Sequence, residues 1–174
     1  CQALGVPPDQ KYESEGGPSL SRCFSLLRDY SIRPALDQKH LLNWVVFNYL
    51  IGNADAHAKN IALLLTSDGP ALAPFYDLLC TGVYKGLTDK LSMKIGGENR
   101  PDWIQSRHWE RLSCDIMIKP RLVMNTLHGM AERITGLAKG LAEEFRENYG
   151  EMPIQDAILD IIRDRSHYSL ISIP

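Results

Sequence analysis

Between Pro34 and Ile51 the chain is apolar on nearly every side. Leu42, Val45, Val46, Tyr49 and Leu50 share one face at helical spacing, and Leu41, Trp44 and Phe47 widen that face almost all the way round. A helix of this kind has no side to give to water, so it has to be enclosed by other elements. Ser31 is a candidate N-cap, Pro34 suits the first turn where its missing N–H costs nothing, and Gly52-Asn53 is a typical stop. A chain of 174 residues with 44% apolar residues can enclose such a helix in one domain.

The flanking segments predict what does the enclosing. Residues 1–18 are rich in Gly, Pro and charge and read as an irregular lead-in closed by Gly16-Gly17-Pro18. Ser19 can cap a helix over 20–30, with Leu20, Cys23, Phe24 and Leu27 at helical spacing. Ile61–Leu65 and Leu72–Phe75 read as two short strands joined by a turn at Ser67-Asp68-Gly69-Pro70. Residues 78–104 are irregular, with glycines and basic residues interleaved. The last third reads as helices over Ser106–Met117 and Arg121–Asn148, the second broken near Gly136 or Gly140, and a further one from Pro153. The sum is a mainly α fold with a small β-hairpin.

Charge and cysteine usage exclude several classes. A net charge of −2 gives no broad field for nucleic acid or membrane, and no run of about twenty apolar residues lacks a charge. Between Glu143 and Arg165 seven acids outnumber three arginines, which reads as a solvated face, as does the mild basic excess between residues 85 and 121. Cys1, Cys23, Cys80 and Cys114 form no CxxC pair and are expected to be reduced, mostly buried thiols of a cytoplasmic protein without a signal peptide. A start at Cys1 reads as the start of a fragment.

The chemistry concentrates in Gly52-Asn53-Ala54-Asp55-Ala56-His57-Ala58-Lys59-Asn60, between the enclosed helix and the first strand. Asp55 and Asn60 lie five residues apart in a loop that the alanines allow to be tight. Asp77 follows the hairpin, which is expected to return it beside them. A carboxylate and an amide carbonyl are hard oxygen ligands, suited to Mg²⁺ with phosphate and water completing the shell. Protein kinases use the same parts: an Asp facing the acceptor hydroxyl, an Asn five residues on, and a later metal-binding Asp. A metal-dependent phosphoesterase built on Asp55, His57 and Asp77 is a weaker alternative, since one His makes a poor two-metal site.

The run from Asn48 to Asn60, with Leu72-Ala73-Pro74-Phe75-Tyr76-Asp77, resembles the HipA family of bacterial serine/threonine kinases, the toxins of HipBA-type toxin–antitoxin modules. Cys1–Gly5, Lys11–Pro18 and Lys90–Gly97 resemble it too. The resemblance implies the C-terminal lobe of a kinase-like fold across residues 1–174, with ATP and Mg²⁺ as cofactors. It implies Asp55 as the catalytic base and Asn60 and Asp77 as metal ligands. It further implies a HipB-like helix-turn-helix antitoxin as partner, operator DNA contacted through that antitoxin, and a protein substrate such as an aminoacyl-tRNA synthetase. The nucleotide-gripping loop and lysine of the family's N-terminal lobe have no counterpart here. Asn53 stands where protein kinases usually have a His, His57 where they place a Lys, and Tyr76-Asp77-Leu78 replaces D-F-G. His57 is expected to support the loop or touch phosphate, and Lys59 to bring positive charge to the transferred phosphate. A non-catalytic kinase-like module that binds an antitoxin or another protein is the competing reading.

Overall fold

The computed structural model describes residues 1–173. Its elements are α1 (Leu20–Tyr30), α2 (Pro34–Leu50), β1 (Leu63–Thr66), β2 (Gly69–Leu72), α3 (Ser106–Asp115), α4 (Pro120–Tyr149) and α5 (Pro153–Ile171), with single 3₁₀ turns between them. The fold is mainly helical with one antiparallel hairpin.

The enclosed helix is where its composition puts it. Along α2, Leu41, Leu42, Trp44, Val45, Val46, Tyr49 and Leu50 are buried, and α1, α4 and α5 pack around them. Each large apolar side chain so buried contributes about 1.5–3 kcal/mol. From α3, Trp109 is fully buried and sets its ring edge-on to Tyr49, centroids 5.4 Å apart. On α1, Leu20, Cys23, Phe24 and Leu27 are all buried, and the Ser19 hydroxyl accepts the Arg22 amide, as the spacing predicts.

The end of α2 aims the functional loop. Gly52 takes φ +71°, its amide returns to the Tyr49 carbonyl and the Asn53 amide to the Asn48 carbonyl. A Cβ on Gly52 would lie 2.7 Å from the Ile161 side chain, so both the conformation and the space require glycine.

Several expectations need correction. The hairpin pairs Leu63–Thr66 with Gly69–Leu72, in the register Leu63 to Leu72 and Thr66 to Gly69, so the turn is only Ser67-Asp68. Thr66 tightens it by donating to the Gly69 carbonyl and accepting the Asp68 amide. Pro70 stands in a strand of this two-stranded sheet, where it withholds only one ladder bond. Ser31 does not cap α2. The helix starts from Arg33, and the Ser31 hydroxyl instead donates to buried Asp37 at 2.6 Å. The α3 helix stops at Asp115 because Met117 takes φ +55° and the Ile118 amide returns to Ser113. The α4 helix is unbroken at Gly136 and Gly140. With Gly129 it carries three interior glycines at about 1 kcal/mol each, a cost offset by burying Val123, Leu127, Ala131 and Ile134 on one stripe. All four cysteines are free, but only Cys23 is buried. Among the described residues no helix is long and apolar enough to cross a membrane.

Candidate active site

The loop between α2 and β1 is held from three directions. From within, buried Asn53 accepts the Asp55 amide (3.1 Å) and donates to the Asn48 side chain (2.7 Å) and to the Asp77 carbonyl (3.2 Å). From the segment after the hairpin, the Thr81 hydroxyl accepts the Ala54 amide at 2.7 Å and donates to the Gly52 carbonyl. From residues 91–99, Ser92 donates both its amide and its hydroxyl to the Ala54 carbonyl. The loop is therefore fixed at Gly52, Ala54 and Asp55 before any ligand arrives, the preorganisation that a site of this kind needs.

Asn60 and Asp77 meet. The Asn60 amide nitrogen donates to Asp77 Oδ2 at 2.6 Å, and its Oδ1 accepts the His57 amide at 2.9 Å. A single 3₁₀ turn, Ala58–Asn60, makes this possible by turning Asn60 back over the loop. Asp77 adopts φ +59°, a conformation that non-glycine residues seldom take. Asn53 on its carbonyl and Asn60 on its carboxylate hold it there, a cost of the kind stored at functional sites. Asp77 sits five residues beyond the end of β2, in irregular chain rather than at a strand terminus.

Asp55 lies on the same loop but makes no hydrogen bond to Asn60 or Asp77. Its partners come from elsewhere. The Tyr12 hydroxyl donates to Asp55 Oδ1 at 2.9 Å, and the Lys11 ammonium stands 3.9 Å from the same oxygen. His57 is buried, with Nε2 3.9 Å from Asp55 Oδ2 and its ring edge-on to Tyr12 at 5.6 Å. Burial lowers the His57 pKa, with Asp55 pulling the other way, so the ring is a neutral support at neutral pH. Lys59 is exposed and its carbonyl accepts the Tyr76 hydroxyl. Its side chain lines a cleft of about 830 Å³ with Leu4, Val6, Leu27, Ala58 and Ile61.

Tyr12 and Lys11 were not legible as site residues, since 43 positions separate Tyr12 from Asp55. The available signal was the Gly16-Gly17 pair. The Gly17 amide donates to the Tyr12 carbonyl at 2.9 Å, and a Cβ on Gly17 would lie 2.6 Å from that oxygen. The lead-in is folded tightly onto itself at the residue that touches Asp55.

The donor set suits a hard cation. Asp77 Oδ1 has no hydrogen bond among the described residues, and the Asn60 carbonyl keeps a second lone pair. No group of three or more His, Cys, Asp or Glu side chains converges among the described residues, so Asp55, His57 and Asp77 do not form the cluster that the phosphoesterase alternative needs.

The family profile of the HipA-like C-terminal domain matches residues 1–138. A protein of Sinorhizobium fredii, Y4mE, provisionally named a kinase, is 36% identical over 173 residues, 99% of this chain and 41% of that protein. The serine/threonine-protein kinase toxin HipA of Shewanella oneidensis is 32% identical over 145 residues, 77% of this chain and 33% of the toxin. A solved structure of the Shewanella oneidensis HipA, HipB and operator DNA complex superposes with a TM-score of 0.82 at 27% identity, covering 98% of this chain and 42% of that chain. The chain thus spans about two fifths or less of the length of these relatives.

Proposed function

The chain belongs to the HipA-like C-terminal domain family, and on that footing we propose that residues 1–174 are the catalytic C-terminal lobe of a serine/threonine protein kinase. The observation that carries the proposal is the pairing of Asn60 with strained Asp77 at 2.6 Å, on the loop that also fixes Asp55. The loop thus carries two sets of polar groups, the paired oxygen donors of Asn60 and Asp77 and the separately held carboxylate of Asp55. That division matches the needs of phosphoryl transfer, in which positioning and charge neutralisation do most of the work.

In this reading Asp55 Oδ2 orients the acceptor hydroxyl and takes its proton, while Oδ1 stays engaged by Tyr12. Asn60 and Asp77 hold Mg²⁺, which when bound neutralises charge on the ATP phosphates. His57 supports the loop as a neutral ring. Lys59, exposed on the wall of the apolar cleft, contacts the nucleotide in this reading. The nucleotide-gripping residues belong to the portion of the longer protein that this chain does not span. The partner proposed is a HipB-like antitoxin that carries the DNA contact, supported by the makeup of the Shewanella oneidensis complex. The acceptor is a serine or threonine hydroxyl of a protein.

The test is γ-phosphate transfer from ATP by the full-length protein. Asp55→Ala and Asp77→Ala should each lose about 10²–10⁴-fold in turnover, the range for removing a positioned base or charge stabiliser. Wild-type activity in both variants would overturn the assignment.

A further inference from the structure

We infer that Lys11, set by Tyr12, is the cation that faces the transferred phosphoryl group; this rests on the kinase reading of the same site. Phosphoryl transfer spreads negative charge over the equatorial oxygens and needs a fixed positive group beside them. Lys59 was the sequence's candidate for this charge, but it lies on the wall of the apolar cleft and forms no ion pair with Asp55 among the described residues. His57 approaches the carboxylate at 3.9 Å but is buried, 6% exposed, and so less open to a ligand oxygen. Among the described residues the remaining cation within 4 Å of Asp55 is Lys11.

Lys11 is part of a built arrangement rather than a chance surface pair. Its ammonium lies 4.6 Å from the centre of the Tyr12 ring. Tyr12 is pinned at both ends, by its hydroxyl on Asp55 and by the Gly17 amide on its carbonyl. The next residue, Glu13, donates its amide to the Ser92 carbonyl, and Ser92 in turn holds the Ala54 carbonyl beside Asp55. The lead-in is thus stapled to the functional loop through two routes. The Lys11 side chain is 31% exposed and its ammonium has three donors, so it can reach a ligand oxygen while remaining near Asp55. The Tyr12 hydroxyl first, and the Asp55 charge as well, raise its pKa against the opposing effect of burial, so it stays charged.

The acceptor oxygen forms its bond to the γ-phosphorus and its proton passes to Asp55 Oδ2. The bond from that phosphorus to the bridging oxygen breaks, and its electron pair leaves with ADP. Lys11 compensates the charge on the equatorial oxygens throughout and exchanges no proton.

The experiment uses the full-length protein with Mg-ATP, following label transfer to protein and phosphate release to water. Lys11→Met should lower kcat about 10²-fold, the scale for removing one charge stabiliser, with the KM for ATP moving less than about threefold, because ground-state binding is unaffected. Lys11→Arg should restore kcat to within about tenfold of wild type, and the melting temperature of Lys11→Met should stay at the wild-type value. If Asp55→Asn keeps wild-type turnover, the kinase reading falls and takes this inference with it. If Asp55→Asn is inactive while Lys11→Met turns over within about threefold of wild type, the Lys11 assignment alone is overturned. A Lys11→Met protein that melts lower and is not rescued by Arg would show a structural role, and would overturn it equally.

Discussion

Asn53 is the residue on which both halves of the site depend, and replacing it should be felt out of proportion to its size. It is buried and makes three hydrogen bonds, to the Asn48 side chain, the Asp55 amide and the Asp77 carbonyl. In Asn53→Ala all three partners lose their bond, two of them in a region with little access to water. A neutral bond contributes about 1 kcal/mol net, and a buried partner left unsatisfied costs about 1–3 kcal/mol. The loss should therefore total about 3 kcal/mol, lowering the melting temperature of residues 1–174 by roughly 10 °C. Asn53→Asp separates the bonds from the volume. It keeps an acceptor for the Asp55 amide but turns carboxylate oxygens toward the Asn48 oxygen and the Asp77 carbonyl. Burial and those acceptors raise the carboxyl pKa of the new side chain above its unfolded value of about 3.9. Its penalty is then full at high pH and relieved as pH falls below the raised folded pKa. Thermal melts followed by circular dichroism at pH 5 and pH 8 should show Asn53→Asp nearer to wild type at pH 5, with Asn53→Ala equally damaged at both. Melting of both variants within about 2 °C of wild type would refute the view that this side chain ties the loop together.

Two further outcomes follow from the fold. Asp37 is fully buried at the start of α2. Burial opposes its ionisation, but the Ser31 hydroxyl, the Leu72 amide and Arg33 hold its carboxyl pKa below the ordinary value. A depressed folded pKa means that this stabilisation is present above the unfolded pKa of about 3.9 and lost as pH falls through the folded value. In urea unfolding, the stability gap between wild type and Asp37→Asn should be steady at neutral pH and shrink below about pH 4; a gap that stays constant down to pH 2 contradicts it. At Gly140 nothing lies within 4 Å of an added Cβ, so Gly140→Ala should stabilise by about 1 kcal/mol, and a lower melting temperature would mean that α4 bends there after all.

What could be read in advance divides along one physical line: local periodicity against long-range contact. The enclosed α2 helix, the Ser19 cap and the apolar face of α1 are set by residues within a few positions of one another, and the structure has them where the spacing puts them. The hairpin register was misplaced because a Gly-Pro pair signals a turn, whereas in a two-stranded sheet Pro70 can occupy a strand at the cost of one bond. The meeting of Asn60 and Asp77 followed from chain order alone, since a short hairpin must return the chain near its start. The surroundings of Asp55 had no such guide. Tyr12, Thr81 and Ser92 reach the loop across 43, 27 and 38 positions, and although Tyr12 and Ser92 lie in segments that resemble the family, no local pattern ties any of the three to Asp55. Asn48 was hidden differently, as a polar residue within an apolar helix that gains its meaning only when Asn53 closes onto it. Apart from Lys11, the residues that bear charge or ligand were thus marked by type and spacing. The residues that hold them in place, Asn48, Asn53, Tyr12, Thr81 and Ser92, are uncharged, and they became visible only once the chain had folded around α2.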